Sequence, residues 1–490
     1  MHTSLLMLAT WLAYFLLLLI LSRRSARGGA QGNDAFFRAG RSSHWALVAF
    51  GMIGASISGV TFISVPGWAK STGLTYLQMC MGFIVGYAAV ALVLLPLYYR
   101  LRLTSIYSWL GQRFGPRTHR TGALFFVLSK LTGAAARLYI VCLVINRFLT
   151  LPLLAPWGLE AAAFPLTVGL SLLFIWLYTR RAGMQTLVRT DALQTACLLL
   201  AAGCMLVAAA QQMHLTAGGV VQMVSQSDMC RLFEWDAASP QAFWRQCRSG
   251  VCIGMVTTGV DQDMMQKNLT CRSLRDAQKD MCTYGLAFLP VNALFLGLGI
   301  VLYALCTARG LPSPAAGDEL MPMLVQSGAL GTWVVLPFTL GLVAAAFSSA
   351  DSALTALTTT VCIDLLGMER SGTEQAADRR TRRRVHLLLT LAFALCIVAY
   401  KAVGSGSVIN AIYVMASYTY GPLLGLYAYG LLTRRPINDR LAPIVCLAAP
   451  LLCALLDYGA PLWWNYRFGY ELLMLNGLLT MLGLWATGKR

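Results

Sequence analysis

Charged side chains are scarce in this sequence, and the usual signatures of soluble enzymes are missing from it. Asp, Glu, Lys and Arg make up only 12% of the 490 residues, whereas 57% are hydrophobic. A soluble domain of this size could not cover so much apolar surface. The chain has no glycine-rich nucleotide-binding loop, its five histidines are scattered, and its fourteen cysteines form no Cys-x-x-Cys pair. These absences argue against nucleotide-dependent and zinc-dependent chemistry, and we expect no enzymatic activity.

In place of these signatures the chain has a series of apolar runs, each long enough to cross a bilayer as a helix. The first run is followed by Arg23, Arg24 and Arg27, whereas a signal peptide carries its positive charge before the apolar stretch. We therefore expect a retained first helix. The whole pattern predicts an all-α polytopic membrane protein with thirteen spans, at 3–22, 45–69, 74–99, 121–148, 163–179, 186–211, 243–266, 280–306, 331–366, 383–402, 407–432, 441–457 and 468–487.

Basic residues concentrate in alternate predicted loops. The loops that start at 23, 100, 180, 267, 367 and 433 and the C-terminal tail, counted with Arg189, Arg383 and Arg384 at the adjoining starts of spans, hold 28 of the 38 Lys and Arg residues. Because basic loops face the cytoplasm, the pattern predicts the N-terminus outside and the C-terminus inside. Basic loops against anionic lipid also account for the net charge of +18. We therefore expect the lipid bilayer and a small solute as partners, with no nucleic acid and no obligate protein partner.

Two predicted spans are interrupted by glycine, proline and hydroxyl residues. Residues 51–67 read GMIGASISGVTFISVPG, and residues 250–262 read GVCIGMVTTGVDQ. Weakened helices at corresponding places in two halves of a chain indicate the central site of a transporter, although small residues also let helices pack closely. The spacing predicts one transmembrane domain over 1–490, with an extra first helix at 3–22, inverted five-helix repeats at 45–211 and 243–432, and two C-terminal helices at 441–487.

A third unusual stretch, AAFSSADSAL at 345–354, places polar side chains inside an apolar run. Ser348 and Ser349 share a helix face, and Asp351 lies beside them. Na⁺ is held by hydroxyl, carboxylate and carbonyl oxygens, so unwound carbonyls at 54–57 facing these hydroxyls would form a cage of low net charge. Serines that bond back to the preceding turn are the structural alternative. An intramembrane aspartate favours a functional interpretation.

Three motifs occur in order along the predicted spans: TDALQ at 190–194, DQDMMQKNL at 261–269 and GLVAAAFSSADSALTALTTTVCIDLL at 341–366. In these motifs the chain resembles the sodium:solute symporter family, over roughly residues 5–487. The resemblance implies a LeuT-type fold and uptake of a small solute coupled to inward flow of Na⁺, and we expect the bacterial inner membrane as its location. The polar block at 261–266 is also compatible with a helix end anchored at the membrane interface.

The resemblance also implies two cation sites. The family's common sodium site corresponds to the carbonyls of Gly54, Ile57 and Ala345 and the hydroxyls of Ser348 and Ser349. A second cation site, found in some members, corresponds to Asp191, Ser348, Asp351 and Ser352. Members with that site often have serine where Asp351 stands. Asp351 is therefore either a second sodium ligand or a proton site, and the sequence leaves both open.

In this fold the solute lies at the unwound parts of the second and seventh spans. The candidate solute-binding residues are Ser56, Ser58, Thr61, Gln78, Arg137 and Thr257. Sugar-transporting members place amides, a glutamate and a tyrosine in this region, so the hydroxyls argue against a hexose. In sialic acid transporters an arginine near position 137 holds the substrate carboxylate, although Arg137 pairing with an internal acid or with lipid phosphate stays open.

We therefore predict a sodium-coupled symporter for a small polar, anionic solute such as a carboxylate or an acidic sugar. Proton-coupled symport through Asp191 and Asp351 is one alternative, and a membrane solute sensor is another.

Overall fold

The computed structural model describes residues 2–27, 33–314, 316–368, 376–403, 408–463, 466 and 468–488. These residues form helices and connecting segments, with an isolated bridge between Ser43 and Cys271. The main helices are α1 (His2–Arg27), α2 (Trp45–Ser56), α3 (Gly59–Thr72), α4 (Tyr76–Arg100), α5 (Pro116–Ile145), α6 (Glu160–Arg180), α7 (Thr186–Gln212), α8 (Phe243–Gly254), α9 (Gln262–Asn268), α10 (Leu274–Ala308), α11 (Val335–Thr360), α12 (Ala376–Val403), α13 (Val408–Leu432), α14 (Ala442–Trp463) and α15 (Leu472–Thr487). Shorter helices are Asn33–Arg38, Ser108–Arg113, Leu151–Leu154, Ala217–Gln226 and Leu320–Gln326.

The prediction of an all-α polytopic membrane protein is confirmed. Within the described residues, nine helices are long and apolar enough to cross a membrane, or ten if the bent pair α2–α3 counts as one span. Each predicted span coincides with at least one helix, but α8, α9 and α15 are individually shorter than a full crossing. The number thirteen therefore stays a prediction.

The glycine-rich run at 51–67 divides one span into two helices, as predicted. α2 and α3 meet at an angle of 62°, and Ile57 and Ser58 are non-helical between them. In a continuous helix the Ser58 N–H would bond the Gly54 carbonyl, but it donates instead to the Ser56 carbonyl at 3.0 Å. The break thus leaves main-chain oxygens in the bundle interior without their helical partners.

The second glycine-rich run also interrupts its span. α8 leads into a widened turn at Met255–Gly259, and α9 begins after Asp261, whose Oδ1 accepts from the Asp263 N–H at 2.9 Å. Every residue of α9 is buried. The polar block at 261–266 therefore lies inside the protein, and its interpretation as an interfacial anchor was wrong.

α11 lies at the centre of the bundle, and nearly all of its residues are buried. It packs against α6–α7 and against both halves of the broken span. Gly341 makes this approach close, because an added Cβ would lie 2.9 Å from the Phe62 ring of α3. The helix that carries AAFSSADSAL thus runs alongside the break.

A short turn, Gly317–Glu319, is pressed against α3, since a Cβ added to Gly67 would lie 2.4 Å from Gly317. Burial raises the pKa of Asp318 in this turn above its ordinary value of 3.8. The folded protein therefore holds this proton more tightly than the unfolded chain does. Consequently, stability falls as the pH rises from 3.8 through the raised pKa.

We expect Asp318→Asn to raise the melting temperature at pH 7, because it removes a charge that burial disfavours. The gain should shrink as the pH approaches 4, because the raised pKa leaves a growing share of the native carboxyl protonated. Thermal unfolding of the purified protein at both pH values measures this. Glu319→Gln removes the same charge at an exposed position and should give no such gain; equal effects of the two variants would contradict the explanation.

Candidate functional site

A cavity of about 160 Å³ lies beside the break between α2 and α3. The structure brings five of the six predicted solute residues to its wall: Ser56, Ser58, Thr61, Arg137 and Thr257. Aromatic side chains form much of the remaining wall: Trp68, Tyr76, Phe83, Tyr87, Tyr284, Phe288, Tyr420 and Tyr470. A largely apolar concavity with a few polar groups is typical of a small-molecule site.

The hydroxyl groups of the cavity differ in how far the protein already uses them. Ser56 Oγ lies 2.6 Å from the Tyr284 hydroxyl, and Thr257 donates to a carbonyl of its own helix at 2.8 Å. Ser58 and Thr61, in contrast, make no side-chain hydrogen bond to other described residues. Of the four predicted hydroxyls, these two are therefore available to a solute.

Gln78 does not line this cavity. Its buried side-chain nitrogen donates to the carbonyls of Thr75 at 3.1 Å and Gln241 at 2.9 Å, and its oxygen accepts from the Glu234 N–H at 3.2 Å. These bonds attach the segment 234–241 to α4. They leave the predicted role of Gln78 in solute binding without structural support.

Four charged side chains line the cavity, and three of them are paired with one another. Lys130 Nζ lies 3.1 Å from Asp261 Oδ2 and 2.8 Å from Asp263 Oδ2. Arg137, on the same helix as Lys130, makes no hydrogen bond or ion pair with the described residues. Its guanidinium is therefore the cavity charge that remains for a solute carboxylate, which it can bind through two parallel hydrogen bonds.

The hydroxyls predicted to bind sodium are buried on α11. Ser348 donates to Asp191 Oδ1 at 3.2 Å, which leaves the lone pairs of its oxygen available to a cation. Ser349 is 8% exposed, and its Oγ has no hydrogen-bond partner among the described residues. Its oxygen is therefore available to coordinate a cation. The first sodium site stays a prediction for Gly54, Ile57, Ala345, Ser348 and Ser349. The hydroxyl oxygens of the two serines are compatible with it.

Close packing brings the broken span to the same point. A Cβ added to Gly51 would lie 3.0 Å from Asp191 Cβ, and one added to Gly54 would lie 3.0 Å from Thr195 Cα. Because Asp191 also accepts from Ser348, the elements α2, α7 and α11 meet around this carboxylate. A side chain at either glycine would push them apart.

Asp191 is compensated by protein groups on both oxygens. Its Oδ2 lies 2.8 Å from Lys267 Nζ, and its Oδ1 accepts from Ser348 at 3.2 Å. With its amide turned so that the nitrogen faces Asp191, Gln194 donates to Oδ1 at 3.1 Å. The sequence pattern placed Lys267 among the loop charges, and this was wrong, because its side chain is 2% exposed and points into the bundle.

The other members of the predicted second cation site are less satisfied. Tyr178 donates to Asp351 Oδ2 at 2.6 Å, whereas Asp351 Oδ1 and Ser352 Oγ have no hydrogen-bond partner within the described ranges. Asp351 and Ser352 are fully buried. The second cation site at Asp191, Ser348, Asp351 and Ser352 stays a prediction. Lys267 lies next to its Asp191.

A chain of buried charges connects the cavity to Asp191. Lys267 Nζ lies 3.9 Å from Asp263 Oδ1, and Asp263 pairs with Lys130 at the cavity wall. Sequence reasoning did not identify Lys130, Asp263 or Lys267 as site residues. For Lys130 and Asp263 the available signal was charge within predicted membrane-embedded segments, which is rare unless the charge is paired or functional.

Comparison with known proteins yields one family and several relatives. The profile of the sodium:solute symporter family matches residues 36–438. The human sodium/iodide cotransporter is 27% identical over 420 residues, which cover 83% of this chain and 62% of that protein. This chain thus spans less than two thirds of that relative's length. The sodium/sialic acid symporter NanT of Aliivibrio fischeri is 24% identical over 448 residues, covering 87% of this chain and 83% of that protein.

Among solved structures, a Na⁺-coupled sialic acid symporter in a substrate-bound outward-open state superposes with a TM-score of 0.81. Its sequence is 16% identical, and the match covers 99% of both chains. The likeness confirms the predicted LeuT-type architecture along the whole chain. At this identity it shows the fold and leaves the chemistry to the residues.

Proposed function

Because the chain belongs to the sodium:solute symporter family, we propose that it is a Na⁺-coupled symporter that imports a small polar solute carrying a carboxylate. The family and the relatives named above are transporters, not enzymes. An acidic sugar such as sialic acid is the first candidate solute, since two bacterial sialic acid symporters are among the relatives. The proposed location is the bacterial inner membrane, with the N-terminus outside and the C-terminus in the cytoplasm.

The observation that carries the proposal is the buried hydroxyl of Ser349, which has no hydrogen-bond partner among the described residues and lies on the helix packed against the break. Na⁺ would be held there by Ser348 and Ser349 together with the carbonyls of Gly54, Ile57 and Ala345. Such an ion would join α2 to α11 and stabilise one arrangement of the bundle. Only an ion that binds the two transport states unequally can drive the exchange between them.

The solute proposal rests on Arg137 and on the open hydroxyls of Ser58 and Thr61. Among the charged residues that line the cavity, Lys130 and Arg137 balance Asp261 and Asp263. One Na⁺ together with one carboxylate solute adds no net charge to this interior, which keeps the electrostatic cost of loading low. A solute whose single carboxylate is bound by the Arg137 guanidinium therefore balances the charge of one coupled Na⁺.

Proton coupling is the second candidate, because Asp351 is buried and one of its oxygens has no hydrogen-bond partner among the described residues. In that case Asp351 would take up a proton outside and release it inside. The two candidates differ in the gradient that drives uptake.

We expect Ser349→Ala to raise the Na⁺ concentration for half-maximal uptake roughly tenfold or more, since it removes a ligand to a charge. Uptake by proteoliposomes over a range of external Na⁺ concentrations measures this. Thr339→Val is the matched control. The Thr339 hydroxyl is buried on the same helix, and it donates to a main-chain carbonyl of that helix. An unchanged Na⁺ dependence in Ser349→Ala would contradict the site.

A further inference from the structure

The orientation of Lys267 is unusual for a lysine at the end of a helix. Long basic side chains near helix ends normally extend to the polar interface. Lys267 lies near the end of α9, yet its side chain is 2% exposed and its Nζ lies 2.8 Å from Asp191 Oδ2. The chain thus places a fixed positive charge beside the carboxylate on which the second cation site depends.

A Na⁺ ion at Asp191 would have to share one negative charge with this ammonium. Two positive charges a few ångströms apart repel strongly in an interior of low dielectric constant. The other oxygen of Asp191, Oδ1, accepts from Ser348 and from Gln194 with its amide turned. The carboxylate on α11, Asp351, accepts from Tyr178 at one oxygen, and its other oxygen has no hydrogen-bond partner among the described residues. The ammonium therefore stands in for a cation at this position.

We propose that Lys267 is a tethered cation that fills the second cation site beside Asp191, so that the protein binds one Na⁺ per transport cycle. This inference rests on the proposed function, because it concerns the stoichiometry of the same coupling. The ammonium supplies the charge that a second ion would bring, but it stays attached to the protein and is not transported. The first site at Ser348 and Ser349 keeps the exchangeable ion.

The test is equilibrium binding of ²²Na⁺ to the purified full-length protein in detergent, without solute. The wild type should bind one ²²Na⁺ per chain. Lys267→Gln leaves Asp191 without its counter-charge and should bind two, whereas Lys267→Gln combined with Asp191→Asn should return to one. Lys267→Arg keeps the positive charge and should bind one.

Lys279→Gln is the matched control, because it removes the same charge from an exposed position of α10 and should bind one ²²Na⁺. A wild-type count of two would overturn the inference even if Lys267→Gln could not be purified. A count of one in folded Lys267→Gln would overturn it as well. Either wrong count leaves Na⁺ coupling intact, whereas no saturable ²²Na⁺ binding in the wild type would overturn the proposed function together with the inference.

Discussion

Arg137→Gln is expected to raise the solute concentration for half-maximal uptake roughly 10- to 100-fold for a carboxylate solute. Hydrogen bonds to charged groups contribute about 1.5–3 kcal/mol, and each 1.4 kcal/mol corresponds to about a tenfold change in affinity. Arg137 lines the cavity and has no ion pair with the described residues, so its guanidinium is available to an incoming carboxylate. Solute uptake by proteoliposomes at saturating Na⁺ measures the change.

Two comparisons separate recognition of the carboxylate from general damage to the cavity. Arg137→Lys keeps the charge but loses the planar fork, and should lie between the wild type and Arg137→Gln. A solute whose carboxylate is replaced by an amide should be transported weakly by the wild type, with little further loss in Arg137→Gln. Unchanged affinity for the carboxylate in Arg137→Gln, or fully additive losses, would contradict the assignment.

Lys130→Met is expected to destabilise the protein by about 3–5 kcal/mol, the usual cost of removing one partner from a buried ion pair. The ammonium of Lys130 bridges Asp261 and Asp263, and all three side chains are buried. Its loss leaves two carboxylates close together in the interior without their shared cation. Unfolding in mixed detergent micelles measures the change in free energy.

The double variant Lys130→Met with Asp263→Asn should recover part of this loss, because it removes one of the two uncompensated charges. Lys279→Gln changes the net charge by the same amount at an exposed site and should shift stability by less than about 0.5 kcal/mol. Equal stabilities of Lys130→Met and Lys279→Gln would show that the bridge does not stabilise the fold.

The sequence predicted the parts of the site that depend on local chemistry. Glycines and hydroxyl residues within an apolar run weaken a helix wherever they occur, and the chain breaks between Ser56 and Gly59 as expected. Ser349 was identified in the same way, because a hydroxyl on an otherwise apolar helix is visible in the sequence alone. Arg137 was identified through the resemblance, because sialic acid transporters place an arginine near this position.

The parts that were missed depend on tertiary contacts. Lys267 follows a predicted span directly, where a basic residue normally belongs to a loop, and only the fold shows that α9 carries it back to Asp191. Gln78 has the polar side chain of a binding residue, but the position of the segment 234–241 decides what its amide contacts. Tyr178 is apolar enough to belong to a span, and its bond to Asp351 links residues that are far apart in sequence.

A Na⁺ gradient is expected to drive solute uptake through this protein. The direct measurement is the uptake of radiolabelled sialic acid, or of the most stabilising solute from a panel of acidic sugars, monocarboxylates and amino acids, into proteoliposomes at equal pH inside and outside. An inward Na⁺ gradient should accumulate the solute above its external concentration, and Ser349→Ala should weaken this at low Na⁺. Accumulation driven by a pH gradient without Na⁺, or solute binding without any uptake, would contradict Na⁺-coupled symport.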